Sequence, residues 1–500
     1  MTGLARYGEV TELLQNLDRP HVLTGHRLLA PHASAHPRQI VEEALALLSE
    51  RFRTILTRCD LAKERHAFVA AQLGISERHF YRERRKAILA LGEALAALPQ
   101  HRTAIRASDA DPVDASFACA AALCSVGRVG DAIDTLERAL AATSSADARA
   151  RIGIRLGTLC CDTGTFDRAL SYVHFAQRES HDRLRRFEAA TVRAQIALRR
   201  GELENASREV EPVLASLKAL APADAVQRAR ALVNAHLIAA EIADHRDAFG
   251  IGLEAAIEAD AMARRYELEP ALRLRAQMTL AHMRMLTGTP MPALLDHIAA
   301  DYDFAQRHGL ARDCADTAGL FCVLYSYAGI HDRALEFGRK ALEIDRVVGA
   351  DDRVHRYYVA WAFLRRGNTR AARSTLGEIP SPGSSGDSFD HVVPRLIEAE
   401  SLHLEGRDRD ALAIARRAVH SMRRAGSSRG LGSALRVQAE IQGALDERGW
   451  AQRSIDEALS LLRKTGPPYA LAQAYGCSGR LTGNRRHKAA AREMMELFRY

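Results

Sequence analysis

Signals for β-structure are scarce in this 500-residue chain: β-branched runs are few, aromatic residues make up only 6%, and two tryptophans occur. An all-helical protein is expected. Also missing is any apolar stretch near the ~20 residues that a membrane-spanning helix requires; the longest, around residues 117–124, falls far short. Residues 1–10 carry no apolar signal core. None of the eight cysteines forms a C-x-x-C pair, and most sit among alanines and leucines, which excludes a zinc ribbon or a disulfide framework. They read as small buried side chains kept reduced, so a cytosolic (cytoplasmic) location is expected. No Gly-Lys pair occurs anywhere, so the phosphate-binding loop of an ATPase module is absent. What remains is an ordinary composition, 47% hydrophobic and 26% charged, long enough for several domains or one extended array.

The net charge of +8 is uneven: residues 51–90 hold ten Lys/Arg against four acids, so most of the excess is expected in that short stretch. From residue 113 to the end the chain is rich in Ala, Leu, Arg and Glu, with apolar residues at helical spacing. Glycine punctuates it about every forty residues, at Gly127, Gly164, Gly201, Gly288, Gly329, Gly367, Gly406, Gly449 and Gly483, and a glycine-free turn fits near Asp244-His245. Five residues after most of these glycines stands alanine: Ala132, Ala169, Ala206, Ala293, Ala334, Ala372 and Ala411. Seven residues before them stand Ala120, Gly157, Ala194, Ala281, Cys322, Ala360 and Ala399; twelve after, Ala139, Ala176, Ala300, Ala341 and Ala418. A helix pair joined by a tight turn needs small residues where helices cross and a residue tolerant of left-handed dihedrals in the turn. These positions meet that need together.

This spacing resembles the tetratricopeptide repeat over most of residues 113–500, although the period is longer than that family's ~34 and tryptophan is nearly absent from the first helices. The resemblance implies a right-handed α-solenoid of about nine to ten helix pairs. Two segments interrupt it. Residues 99–112 read as a linker, and Pro380 to Ser388 as a loop between repeats.

Before the linker, residues 38–58 show apolar residues at helical spacing after Pro37. Residues 66–86 then read as a short helix, a glycine turn, a serine cap and a second helix. Ala70 is small where the two helices cross, Gly74 supplies a positive φ, Ser76 caps, and Val69, Leu73, Ile75 and Phe80 close a small core. On the second helix Phe80, Ala87 and Leu91 fall on one side and Arg78, Arg82 and Arg85 on the other. Arg84 projects toward the packed side and either bends outward or pairs with an acid such as Glu77 or Asp60. Residues 1–37 remain unassigned, with one short amphipathic piece near Glu9 to Leu17.

Leu73, Gly74, Ile75, Ser76, Arg78, Phe80, Tyr81, Arg82, Glu83, Arg84, Arg85, Ala87 and Leu91 follow a pattern similar to the helix-turn-helix of bacterial transcription regulators and of sigma-factor region four. The resemblance covers residues 38–98 and implies DNA binding through Ser76, Arg78, His79, Arg82, Arg85 and Lys86. Arg78 and Arg82 would approach base edges; Arg85 and Lys86 would meet phosphates. A basic second helix also occurs in proteins that contact only protein, so an interaction scaffold is the rival expectation.

No catalytic constellation is present, and neither an enzyme nor a cofactor is expected. Gly426-Ser427-Ser428-Arg429-Gly430 matches G-x-S-x-G but lacks the strand a nucleophile elbow requires. His32 and His36 have no third metal ligand nearby. The Asn205-Ala206-Ser207 sequon has no meaning in a reduced cytosolic chain. The tetratricopeptide resemblance implies that first-helix residues line a concave groove for a peptide or protein partner, and by the repeat register these would include Arg151, Gln195, Arg275, His282, Tyr327, Tyr357, Trp361 and His403. The expected whole is an all-α regulator: an N-terminal helix-turn-helix domain that reads DNA, then a tetratricopeptide-like array that binds a peptide or protein or forms a homodimer.

Overall fold

The computed structural model describes residues 3–17, 23, 26, 28–29, 37–106, 112–125, 128–219, 225–348, 350, 352–377 and 389–499; among them there are helices and no strands. No helix of the described residues is long and apolar enough to cross a membrane. Gly127, His32, His36 and the proline-glycine-serine segment 380–388 lie outside the described residues.

The N-terminal part comprises α1 (Gly3–Gln15), α2 (Pro37–Ala46), α3 (Glu50–Leu56), a π-helical turn (Thr57–Leu61), α4 (His66–Gln72) and α5 (Glu77–Arg106). The amphipathic piece left unassigned is the core of α1: Val10, Leu13, Leu14 and Leu17 pack with Ile40, Val41 and Leu45 near α2 and with Ile88, Leu91 and Leu95 of α5. Each such burial contributes about 1.5–3 kcal/mol. The single helix expected over residues 38–58 is instead broken. Arg128 Nη1 donates to the carbonyls of Leu47 (3.0 Å) and Leu48 (2.6 Å), satisfying orphan acceptors at the end of α2, and Ser49 Oγ accepts from the Phe52 amide (3.4 Å) to start α3. The linker expected from Pro99 also differs, because α5 continues through Pro99 to Arg106. Proline removes only one amide donor, and the Ala- and Leu-rich turns before it sustain the helix.

Helix pairs follow. Their first helices are α6 (Pro112–Ser125), α8 (Ala146–Asp162), α10 (Arg183–Arg199), α12 (Ala225–His245), α14 (Pro270–Thr287), α16 (Ala311–Tyr327), α18 (Arg353–Arg365), α20 (Phe389–Leu404), α22 (Ser428–Ala444) and α24 (Pro468–Thr482). Their partners are α7 (Val129–Ala142), α9 (Phe166–Glu179), α11 (Leu203–Ala219), α13 (Phe249–Arg265), α15 (Met291–Arg307), α17 (His331–Val348), α19 (Thr369–Gly377), α21 (Asp408–Ala425), α23 (Arg448–Thr465) and α25 (Arg485–Met495), and a 3-10 turn ends the described chain at Glu496–Phe498.

Glycines 164, 201, 288, 329, 367, 406 and 483 are left-handed in the turns, as the spacing requires. Gly449 is not: it lies inside α23, and Asp446 (φ 58°) makes that turn, while Asp247 (φ 57°) makes the glycine-free turn near residue 245. Aspartate tolerates this region because its short polar side chain bonds locally. The small residues at the crossings are buried, including Ala120, Ala169, Ala206, Ala334, Ala360 and Ala411. Two expected positions fail: Ala293 and Ala300 are exposed. Pro290 precedes α15, so its register moves by one residue; Leu294 takes the first alanine slot and Asp301 the second.

By contacts the chain divides into two compact units: Met1–Arg185 with Asp303–Ala315 and Leu342–Asp351, and Arg186–Tyr302 with Asp316–Ala341 and Asp352–Tyr500. The first unit therefore contains the first helix pairs as well as α1 to α5.

Candidate functional site

In the first unit, α4 and α5 meet at a turn whose geometry follows from four residues. Leu73 ends α4, Gly74 is left-handed (φ 68°), the Ile75 amide donates back to Ala70 O (3.1 Å), and Ser76 Oγ accepts from the His79 amide (3.3 Å). Ile55, Cys59, Val69, Ala70 and Phe80 form the core beneath, with Leu73 and Ile75 against it. Phe80, Ala87 and Leu91 are fully buried, whereas Arg78, Arg82 and Arg85 are exposed. Arg84 turns to the packed side and pairs with buried Asp60, its Nε 3.3 Å from Oδ2.

The six residues expected to bind DNA have distinct roles in this geometry. Ser76 is the cap. Arg78 and Arg82 are exposed and have no ion-pair partner among the described residues; the Arg85 guanidinium lies 6.0 Å from the Tyr7 ring. Lys86 Nζ is held by Glu83 (2.9 Å), toward which His79 Nε2 also leans (3.9 Å). Two aromatic side chains that sequence reasoning gave no role stand on the same helices: Phe68 and Tyr81 are 55% and 53% exposed, and the His66 ring meets Tyr81 edge-on at 5.6 Å. Their signal was their place beside arginines at helical spacing. Arg58, below the Phe68 ring at 5.8 Å, hydrogen-bonds Glu64 and holds that carboxyl below the usual range.

The expected groove residues are dispersed in their local roles. Arg151 pairs with Asp114 and lies 5.2 Å from the Phe117 ring. In the second unit Gln195 is half-buried, Arg275 is exposed, Tyr357 is buried, and His403 Nδ1 is bound to Asp408 (2.5 Å). His282 Nε2 faces Asp244 Oδ2 (3.3 Å) in a buried network with Arg429, whose Nη1 reaches Asp244 (2.8 Å) and whose amide donates to Asp247 (2.8 Å). Burial opposes ionisation of Asp244, but Arg429 and His282 outweigh it and hold the carboxyl well below its usual range. The G-x-S-x-G segment serves this packing: Gly426 ends α21 and Ser427 caps α22.

Only Tyr327 and Trp361 come together among the groove residues, edge-on at 5.2 Å. Both are half-buried. Tyr469 stacks on Tyr327 at 3.8 Å, and Phe498 meets both Tyr327 (5.6 Å) and Tyr469 (5.3 Å), so the chain's own C-terminal elements cover them. Burial pushes the Tyr327 hydroxyl well above its ordinary pKa.

Besides residues 51–90, residues 463–492 form a second cationic stretch, with seven Lys/Arg and no acid.

No protein-family model and no curated protein sequence matches the chain. Solved structures similar to it include aspartyl phosphate phosphatase F from Bacillus subtilis, at 11% identity over 75% of this chain and 91% of that one with a TM-score of 0.40. The apo quorum sensor NprR from B. thuringiensis gives 11% identity, 70% and 97% coverage and a TM-score of 0.43. A signal transduction ATPase with a tetratricopeptide repeat sensor from Pyrococcus horikoshii gives 12%, 83% and 66%, with 0.38. At these values the likeness carries no inference about what this chain binds. The array is tetratricopeptide-like on its own geometry, by its helix pairs, left-handed turns and small residues at the crossings.

Proposed function

We propose that this protein is a DNA-binding regulator rather than an enzyme, with α4 and α5 as its DNA-reading element and the helix pairs as a surface for a peptide, a protein or a second copy of the chain. The observation that carries the reading is the exposure of Arg78, Arg82 and Arg85 opposite the buried Phe80, Ala87 and Leu91. Arg78 and Arg82 stand within the first two turns of α5, where a helix entering the major groove meets base edges, and Arg85 stands where phosphates run. Lys86 and His79 are tied to Glu83 and add less. In a dimer, partner binding to the array would alter the spacing between two such helices.

The test is fluorescence anisotropy of the full chain on duplex fragments from upstream of its own gene, at about 50 and about 200 mM salt, beside Arg78→Glu/Arg82→Glu. Fragment-selective, salt-sensitive binding that the variant loses supports the reading. A second reading, an interaction scaffold, is favoured by exposed Phe68 and Tyr81, since aromatic anchors beside arginine suit protein surfaces. Fragment binding of equal strength in both forms, or in neither, favours that scaffold.

A further inference from the structure

The end of the array carries a second cationic surface that the α4–α5 reading does not use. Arg463 and Lys464 occupy the last turn of α23, and Arg485, Arg486, Lys488 and Arg492 belong to α25. None of these six has a carboxylate partner among the described residues, whereas Arg407 pairs with Asp410, Arg423 with Glu457 and Arg436 with Glu400. Arg480, the seventh cation of the stretch, is paired with Glu440.

The two groups of cations are tied together by packing. Arg463 Nε donates to Tyr475 Oη (3.1 Å), the Tyr475 ring lies 5.2 Å from the His487 ring, and His487 Nδ1 is 2.9 Å from Ser478 Oγ. Arg463, Lys464 and His487 then line one shallow depression with Asp456 and Ser460. α25 itself buries no residue, and Asn484 fixes its start by accepting from the Arg486 and His487 amides. Arg485, Lys488 and Arg492 recur at steps of three and four, along one side of that helix. Gly479 gives the Lys488 stem room: a Cβ there would lie 2.6 Å from its Cγ.

We propose that the α23–α25 end of the chain binds the phosphodiester backbone of nucleic acid without reading sequence. An uncompensated row of cations is costly to keep close together and gains most from a partner with regularly repeated negative charge, whose counterions are released on contact. A protein partner would call for an apolar anchor at the centre of the contact; residues 463–492 expose no large hydrophobic side chain, and the exposed Trp450 stands in the first turn of α23, at the opposite end of that helix from Arg463 and Lys464. A membrane surface would call for a broad apolar helix face to insert; α25 offers three alanines and two methionines, of which Met495 packs against the chain's own core.

The test uses the full chain and a random duplex of about 30 base pairs, with binding followed by anisotropy across a salt series. Arg485→Glu/Lys488→Glu/Arg492→Glu is compared with the unaltered protein and with Arg78→Glu/Arg82→Glu; circular dichroism checks that helix content is unchanged. The surface proposed here predicts that the triple variant lowers the slope of log affinity against log salt by about 2 to 3, with at least about a tenfold loss at low salt. It also predicts that Arg78→Glu/Arg82→Glu retains part of the random-duplex binding and loses the rest when the triple change is added. An unchanged slope in the triple variant overturns the proposal, as does complete loss in Arg78→Glu/Arg82→Glu alone. Equal loss of binding to a polyglutamate probe would assign the surface to an acidic protein instead and overturn it too. Loss of fragment selectivity is read separately, so failure here and failure of the α4–α5 reading are distinguishable.

Discussion

The rings of Tyr327 and Tyr469 stack 3.8 Å apart at an interplanar angle of 20°, joining α16 to the first turn of α24. Trp361 and Phe498 close on them edge-on, so four rings from distant parts of the chain share one apolar cluster. Two of the residues expected in the partner groove thus pack on the chain's own C-terminal elements.

That cluster sets the first expectation. Tyr469→Ala lowers the unfolding free energy by about 3–5 kcal/mol, because it removes a buried ring and three aromatic contacts. Tyr469→Phe keeps the ring and costs about 1 kcal/mol. Urea denaturation reads both; a Tyr469→Ala variant within about 0.5 kcal/mol of the parent would show that the C-terminal elements are not docked on Tyr327.

Asp301 sits in a slot that the repeat reserves for alanine, and burial pushes its carboxyl up to about 7, with Asp260 adding and Arg264 opposing. His297 Nε2, 3.5 Å away, is itself depressed by burial. Since the folded pKa lies above the unfolded one, the folded state loses stability as pH rises from about 4 through about 7, when the buried group must ionise. Asp301→Asn is therefore expected to stabilise the protein at pH 8, by up to about 4 kcal/mol, and to make little difference near pH 4. Thermal denaturation of both forms across this range would show the gap opening; a pH-independent gap would contradict it.

Arg429 holds two buried carboxylates, those of Asp244 and Asp247. Arg429→Ala leaves Asp247 without its cation and Asp244 with His282 alone, and is expected to cost about 3–5 kcal/mol at neutral pH. The depressed Asp244 pKa means that this stabilisation is present above about pH 4 and fades as acid protonates the carboxyl. Chemical denaturation at pH 7 and pH 3 should show the penalty shrinking in acid; an equal penalty at both would assign the loss to packing alone.

Turn chemistry gives a smaller expectation. Gly406 is left-handed at φ 76°, as is Asp446 at φ 58°. Gly406→Ala should cost about 1–2 kcal/mol, and Asp446→Gly should be neutral or mildly stabilising. Loss of stability in the second variant would mean that the Asp446 side chain, bonded to Arg448, contributes more than the backbone strain it carries.

Local features were legible in the sequence and long-range ones were not. The core of Val69, Ala70 and Phe80, the Ser76 cap and the outward arginines all follow from spacing within twenty residues; for Arg84 the same spacing leaves bending outward and pairing with an acid open, and Asp60, 24 residues away, decides it. The amphipathic signal of α1 was visible, but its partners on α2 and α5 lie too far along the chain for periodicity to name them. Pro290 shifts α15 by one residue, which a pattern counted from Gly288 does not register, so Leu294 and Asp301 take the buried slots in place of Ala293 and Ala300. The covering of Tyr327 and Trp361 by Tyr469 and Phe498 depends on how successive pairs bring α16, α18 and α24 together, a consequence of many small rotations rather than of any motif.

The most direct measurement is anisotropy on one selected duplex and its mutated versions with two single variants, Arg78→Ala and Arg85→Ala. If α5 reads the major groove, Arg78→Ala relaxes discrimination at one base position by about 1–3 kcal/mol, while Arg85→Ala weakens all duplexes alike and lowers the salt slope by about 1. Both variants weakening every duplex equally, or neither changing binding, would contradict a DNA-reading role for this helix.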